Sequence, residues 1–153
     1  MARRWRRARR AFVLTRERVV DLTMRPLPQV VSLVATSLPA SKLETAAGKV
    51  ASRSTLVVVP PALVEQWEFE IEKALGGSGA LSACTVSAVV NYMLTHDSGA
   101  SEAKLAGAIA KYDMVLTTYD QLVKRGALLA RVAWARVVLD EMQARSYWCR
   151  HCR

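Results

Sequence analysis

The residues with the most explicit chemistry close an aliphatic run: Arg136-Val-Val-Leu-Asp140 is followed at once by Glu141. Adjacent carboxyls at the end of a buried strand suit magnesium-assisted phosphoryl transfer, in which the Asp holds Mg²⁺, usually through water, and the Glu orients or deprotonates the attacking water. An acidic pair of this kind also marks a strand that simply exits into solvent, so the neighbouring segments decide between the two. Two other groups stand directly after apolar runs, Pro60-Pro61 and Thr117-Thr118-Tyr119. Ligands of an open parallel sheet bind beyond the carboxyl ends of its strands, where such residues would be presented.

Other chemically suggestive residues carry less. Cys149-Arg-His-Cys152 has the spacing of half a zinc site, but zinc takes four ligands and the remaining cysteine, Cys84, is remote, so residues 144–153 read as a frayed tail. Gly48-Lys49 is followed by Val50 and has no strand before it, unlike a phosphate-binding loop. His96 stands beside Asp97 and Ser98 and reads as a solvated turn residue.

The elements that must position the carboxyl pair follow from periodicity. Thr55-Leu-Val-Val-Val59 and Asp113-Met-Val-Leu-Thr117 are apolar without alternation, as parallel strands covered on both faces are. Arg136-Val-Val-Leu-Asp140 reads the same way. Between them, Leu63, Val64, Trp67, Ile71, Ala74 and Leu75 recur at helical spacing behind Pro61, with a wet face of glutamates and a stop at Gly76-Gly77. Residues 81–90 read as a second strand, residues 103–111 as a helix with Leu105, Ala106 and Ile109 inward, and residues 119–130 as one helix bearing Leu122, Val123 and Leu129. Residues 29–38 give a short buried helix on Val30, Leu33, Val34 and Leu38, and residues 40–54 a loop or insertion. Alternating strands and helices of this kind specify an α/β domain with a mostly parallel sheet and flanking helices.

Composition narrows the class. A chain of 153 residues, 52% hydrophobic and 23% charged, supplies one domain with a real core. Its longest uncharged stretch, residues 74–95, is broken by glycines and small polar residues, so no membrane span is expected. Three cysteines make no disulfide framework, which points to a reducing compartment. The formal charge of +9 is uneven: residues 1–25 hold nine arginines against Glu17 and Asp21. This arginine-rich arm suits three uses: a solvated arm, phosphate contacts or nuclear import, and organelle targeting.

Three blocks in order, Thr55-Leu-Val-Val-Val-Pro-Pro-Ala-Leu-Val-Glu-Gln-Trp67, Tyr112-Asp-Met-Val-Leu-Thr-Thr-Tyr-Asp-Gln-Leu122 and Trp134-Ala-Arg-Val-Val-Leu-Asp-Glu141, resemble motifs Ia, Ib and II of the first ATPase lobe of SWI/SNF-type chromatin remodellers, within helicase superfamily two. The resemblance runs over about residues 20–143. It implies a partial RecA-like fold of the P-loop NTPase type, with ATP and Mg²⁺ as the family's cofactors and duplex DNA or chromatin as its partner in the nucleus. It also implies Glu141 as the catalytic residue, Asp140 as the Mg²⁺ anchor, and Asp140 and Gln143 on the nucleotide side. Pro60, Thr117 and Thr118 would track the DNA backbone, while Trp67 and Trp134 read as core. Gln143, where most members have His, is similar to the ring-finger-containing members of post-replication repair.

The departures are specific. Where the family has Asp-Glu-Met-Gly-Leu-Gly-Lys-Thr, this chain has Asp21-Leu-Thr-Met-Arg-Pro-Leu-Pro-Gln29, without the glycines that let backbone N–H groups cradle phosphates or the lysine that neutralises them. The family's second lobe, which supplies transition-state arginines, is expected to come from a partner or a longer product. The resulting expectation is residues 1–25 as basic arm, 26–143 as partial ATPase lobe and 144–153 as tail, with little turnover alone. The alternatives are a non-catalytic nucleic-acid or chromatin binding module, and a fragment without a stable fold.

Overall fold

The computed structural model describes residues 10–15, 19–23, 26–37, 48–75 and 81–141. Its strands are β1 (Arg10–Thr15), β2 (Val19–Thr23), β3 (Val50–Ala51), β4 (Thr55–Val59), β5 (Ala83–Thr85), β6 (Met114–Thr118), β7 (Val132–Ala133) and β8 (Arg136–Asp140). Its helices are α1 (Pro26–Thr36), α2 (Val64–Leu75), α3 (Val86–His96), α4 (Glu102–Ile109), α5 (Tyr119–Lys124) and α6 (Gly126–Ala130), with a 3₁₀ turn over Pro61–Leu63.

Six strands form one sheet in the order β2-β1-β8-β4-β6-β5. The four from β8 to β5 are parallel, with Val57 opposite both Leu116 and Val138. Beyond β8 the sheet turns antiparallel through β1 and β2. Residues 10–15 and 19–23, within the stretch the arginines mark as arm, thus add two antiparallel strands to the sheet. The short strands β3 and β7 pair apart from it.

Each strand of the parallel part sends alternate side chains into two cores, because successive strand residues point to opposite faces. On the first face Val57, Val59, Met114, Leu116 and Val138 meet Val30, Val31 and Val34 of α1 and Trp67 and Ile71 of α2. On the second, Leu56, Val58 and Val115 meet Val86, Val89 and Val90 of α3, Leu105, Ala106 and Ile109 of α4, and Leu128 and Leu129 of α6. Burial on both sides explains why β4 is buried at every position and why its sequence has no polar alternation.

Four expectations are corrected. Residues 81–90 are not a strand: β5 ends at Thr85, whose hydroxyl accepts from the Ala88 N–H at 3.2 Å and caps α3. Val86, Val89 and Val90, at i, i+3 and i+4, then fit a helix, and the buried face overrides their β-propensity. The helix expected over residues 119–130 is two, broken at Arg125, and Val123 is 73% exposed. In α1 the inward residues are Val30, Val31 and Val34, whereas Leu33 is exposed and Leu38 lies outside the described residues. His96 belongs to the last turn of α3, where its Nδ1 lies 2.9 Å from the Tyr92 carbonyl O.

The segment read as a loop over residues 40–54 ends in a built structure. Ser52 and Ser54 are buried, their hydroxyls 2.5 Å apart, and Ser54 Oγ donates to the Tyr112 carbonyl. Nearby, the Asp113 carboxyl accepts from Ser82 N and Oγ, both at 2.9 Å, and pairs with Arg53 at 3.3 Å. This polar belt fixes the amino ends of β4 and β6, since Thr55 N donates to the Asp113 carbonyl at 2.8 Å.

Candidate active edge of the sheet

Because β4, β6 and β8 are parallel neighbours, their carboxyl ends share one edge, and that edge gathers Pro60, Thr118, Tyr119, Asp140 and Glu141. Each sits there for a local reason. Pro60 stops β4, and its carbonyl accepts from Leu63 N at 2.9 Å to open the turn into α2. Thr118 is the N-cap of α5, its hydroxyl accepting from Gln121 N at 3.2 Å. Glu141 follows β8 with φ of 53°, a left-handed conformation that side chains other than glycine adopt at a cost.

Asp140 is tied from two directions. Its Oδ2 accepts the indole N–H of Trp67 at 2.8 Å, and its main-chain carbonyl accepts the hydroxyl of Tyr119 at 2.8 Å. The residue is only 2% exposed, and Trp67 1%. Burial, and then the proximity of Asp140 and Glu141, pushes the Tyr119 phenol up to about 12. The edge therefore presents an acidic pair of unequal access, Asp140 turned into the first core and Glu141 half-buried beyond it.

The remaining candidates separate. Thr117 was expected on a surface that follows DNA, yet it is 4% exposed, because it shares the second face with Val115. Its hydroxyl has no hydrogen-bond partner among the described residues. Gln143, Cys149, His151 and Cys152 lie outside the described residues. Trp134 packs against the second core and donates its indole N–H to the Leu129 carbonyl at 2.8 Å. Among the described residues no group of three or more His, Cys, Asp or Glu side chains could hold a metal ion. No helix among them is long and apolar enough to cross a membrane.

Sequence reasoning placed Trp67 in the core and missed its polar tie, and it assigned Tyr119 no role. A signal was available for both, since a buried indole or phenol must send its N–H or O–H to an acceptor. Away from this edge, Cys84, Tyr92, Met93, Lys111 and Tyr112 help line an open, mainly apolar groove of about 430 Å³. Burial pushes the Cys84 thiol up to about 12.

Comparison with known proteins gives a consistent picture. The SNF2-related domain matches residues 6–145. A DNA repair protein of Arabidopsis thaliana, RAD5B, is 35% identical over 106 residues, which is 64% of this chain and 7% of that protein. The transcription regulatory protein SNF2 of Saccharomyces cerevisiae is 29% identical over 86 residues, 56% of this chain and 4% of its own length. A putative SWI/SNF-related regulator of chromatin, subfamily A member 3-like 1, from Arabidopsis thaliana is 27% identical over 96 residues, 60% of this chain and 10% of that protein. The chain thus aligns with a tenth or less of each of these relatives. No solved structure matches it significantly.

Proposed function

The chain belongs to the SNF2-related domain family, as a partial RecA-like N-terminal lobe of a SWI/SNF-type ATPase, and from that premise we propose that it engages duplex DNA or chromatin in the nucleus without holding nucleotide by itself. The observation that carries the reading is the shared carboxyl edge of β4, β6 and β8. Pro60, Thr118 and the Asp140-Glu141 pair follow one another along the chain in the order of the family's three motifs and meet at this edge, with Pro60 in the middle.

The family's ATP and Mg²⁺ do not fit the residues present. A helix amino end binds phosphate through its free N–H groups, and α1 opens with Pro26-Leu27-Pro28, in which two of the first three residues have none. Of the Asp140 carboxyl, Oδ2 is engaged by Trp67 and Oδ1 is buried out of solvent's reach, a poor position for an ion that keeps several waters. No step of hydrolysis is therefore assigned to this chain. In an intact motor of the family the nucleotide supplies the energy for movement.

What the chain's own residues supply is attraction and placement. The nine arginines of residues 1–25 release condensed counterions when they meet phosphates, which gives affinity without sequence preference. Pro60 and Thr118 fix the edge against which a backbone would lie. Titration of duplex DNA by fluorescence anisotropy over stepped salt tests this. A steep fall of affinity with salt, unchanged by ATP, is expected, together with no heat from Mg²⁺-ATP in calorimetry. Micromolar, Mg²⁺-dependent ATP binding that Glu141→Gln alters would replace this reading with an active nucleotide site.

A further inference from the structure

We propose that Asp140 works in this chain as a structural clasp between the sheet and both of its helical layers, and not as a metal anchor. Three observations carry it. The carboxyl Oδ2 accepts the Trp67 indole N–H at 2.8 Å, joining α2 of the first layer to the end of β8 across 73 residues of sequence. The main-chain carbonyl of the same residue accepts the Tyr119 hydroxyl at 2.8 Å, and Tyr119, which opens α5, packs against the second core. Both Trp67 and Asp140 are almost wholly buried.

The chemistry of these groups explains the arrangement. A buried indole N–H needs an acceptor, and Asp140 Oδ2 supplies it, one bond of the several that a buried carboxyl group takes. Strand alternation places Asp140 on the face of Val138, and α2 covers that face with Trp67. The oxygen committed to Trp67 is one of the two that a carboxyl ligand offers an ion. Where the phosphate loop has changed to a proline-bearing helix start, the acidic residue keeps a purpose in holding the layers together. This inference rests on the reading of the chain as an SNF2-type lobe only for the metal role it denies; the clasp itself is independent of DNA.

The test combines stability with metal binding. Urea unfolding of wild type, Trp67→Phe, Asp140→Leu and the double variant is expected to show coupling of roughly fivefold or more in the unfolding equilibrium constant, as for a buried hydrogen bond. Asp140→Asn, whose amide oxygen still accepts the indole N–H, is expected to stay much nearer wild type than Asp140→Leu. Additive losses, or an Asn variant as damaged as the Leu variant, overturn the clasp. Should Trp67→Phe or Asp140→Leu fail to fold, wild type and Asp140→Asn suffice. Mn²⁺ titration followed by electron paramagnetic resonance is expected to leave the same free-ion signal for both, and the Trp67 indole N–H to exchange slowly in both. Mn²⁺ binding by wild type that weakens tenfold or more in Asp140→Asn restores the metal anchor. Neither readout uses ATP or DNA, so failure here is distinct from failure of the functional reading.

Discussion

Replacing Tyr119 by Phe removes one hydroxyl and leaves the ring in place, which isolates its bond to Asp140. The hydroxyl donates to a half-buried assembly of main chain at 2.8 Å, and a neutral hydrogen bond of this kind contributes about 1 kcal/mol. At pH 8 the variant is expected to lose about that much. A second effect depends on pH. The phenol is pushed from its ordinary 10.0 up to about 12, chiefly by burial and then by Asp140 and Glu141. The folded chain thus keeps a proton that the unfolded chain releases, so this stabilisation is complete below pH 10 and is lost as pH rises through 12. Two units correspond to a ceiling of about 2.7 kcal/mol, which solvent reaching part of the ring reduces to about 1 kcal/mol. The stability gap between wild type and Tyr119→Phe is therefore expected to close between pH 10 and 12. Urea unfolding of both chains in steps from pH 8 to 11.5 measures it, and every other titrating group cancels in the difference. A gap absent at pH 8 would refute the tie between Tyr119 and Asp140, and one that stays constant through the alkaline range would contradict the burial of the phenol.

Thr117→Val replaces a buried hydroxyl without a described partner by a methyl of the same shape, so a gain of about 1 kcal/mol is expected with DNA affinity unchanged. A lower urea midpoint or weakened DNA binding in anisotropy would show that this hydroxyl is used. Thr118→Ala removes the cap of α5 and is expected to cost about 1 kcal/mol in the same unfolding assay, with Thr118→Ser restoring most of it. In a Cys149→Ser, Cys152→Ser background, Cys84 is expected to react with iodoacetamide at pH 8 roughly a thousandfold more slowly in the folded chain than in urea, because its thiol is raised from 9.0 to about 12. Equal rates would contradict its burial.

The parts of the fold that were legible in sequence are those with one physical cause. β4 and β6 are buried on both faces and β8 fully on one and partly on the other, so hydrophobicity alone marks them, and their carboxyl ends locate the candidate edge. Where two causes compete, the reading failed. Val86, Val89 and Val90 are β-branched, which favours a strand, while their spacing and the Thr85 cap favour the helix that forms. The antiparallel pair of β1 and β2 was hidden by its arginines, since charge draws attention to solvent while strand pairing uses the backbone that every residue has. Position in a strand is likewise insufficient for a site. Parity placed Asp140 on the face of Val138, but whether that face opens to a ligand or closes on an indole depends on what α2 brings over it. Thr117 and Thr118 show the same point, as adjacent residues of which one is buried and the other caps a helix.

The strand order has a consequence in time. β8 pairs with β4 on one side and with β1 on the other, so residues 10–15 wait for residues 136–140 before their second edge is filled. Closing so long a loop is entropically expensive and slows folding relative to local contacts. During synthesis β1 and β2 emerge before β8, and the place of β1 beside it does not exist until nearly all the described chain has left the ribosome. In the interval, the β1 edge that later receives β8 is open to any other strand. Nascent copies of this chain held close together on one message are therefore most prone to pair wrongly at that edge.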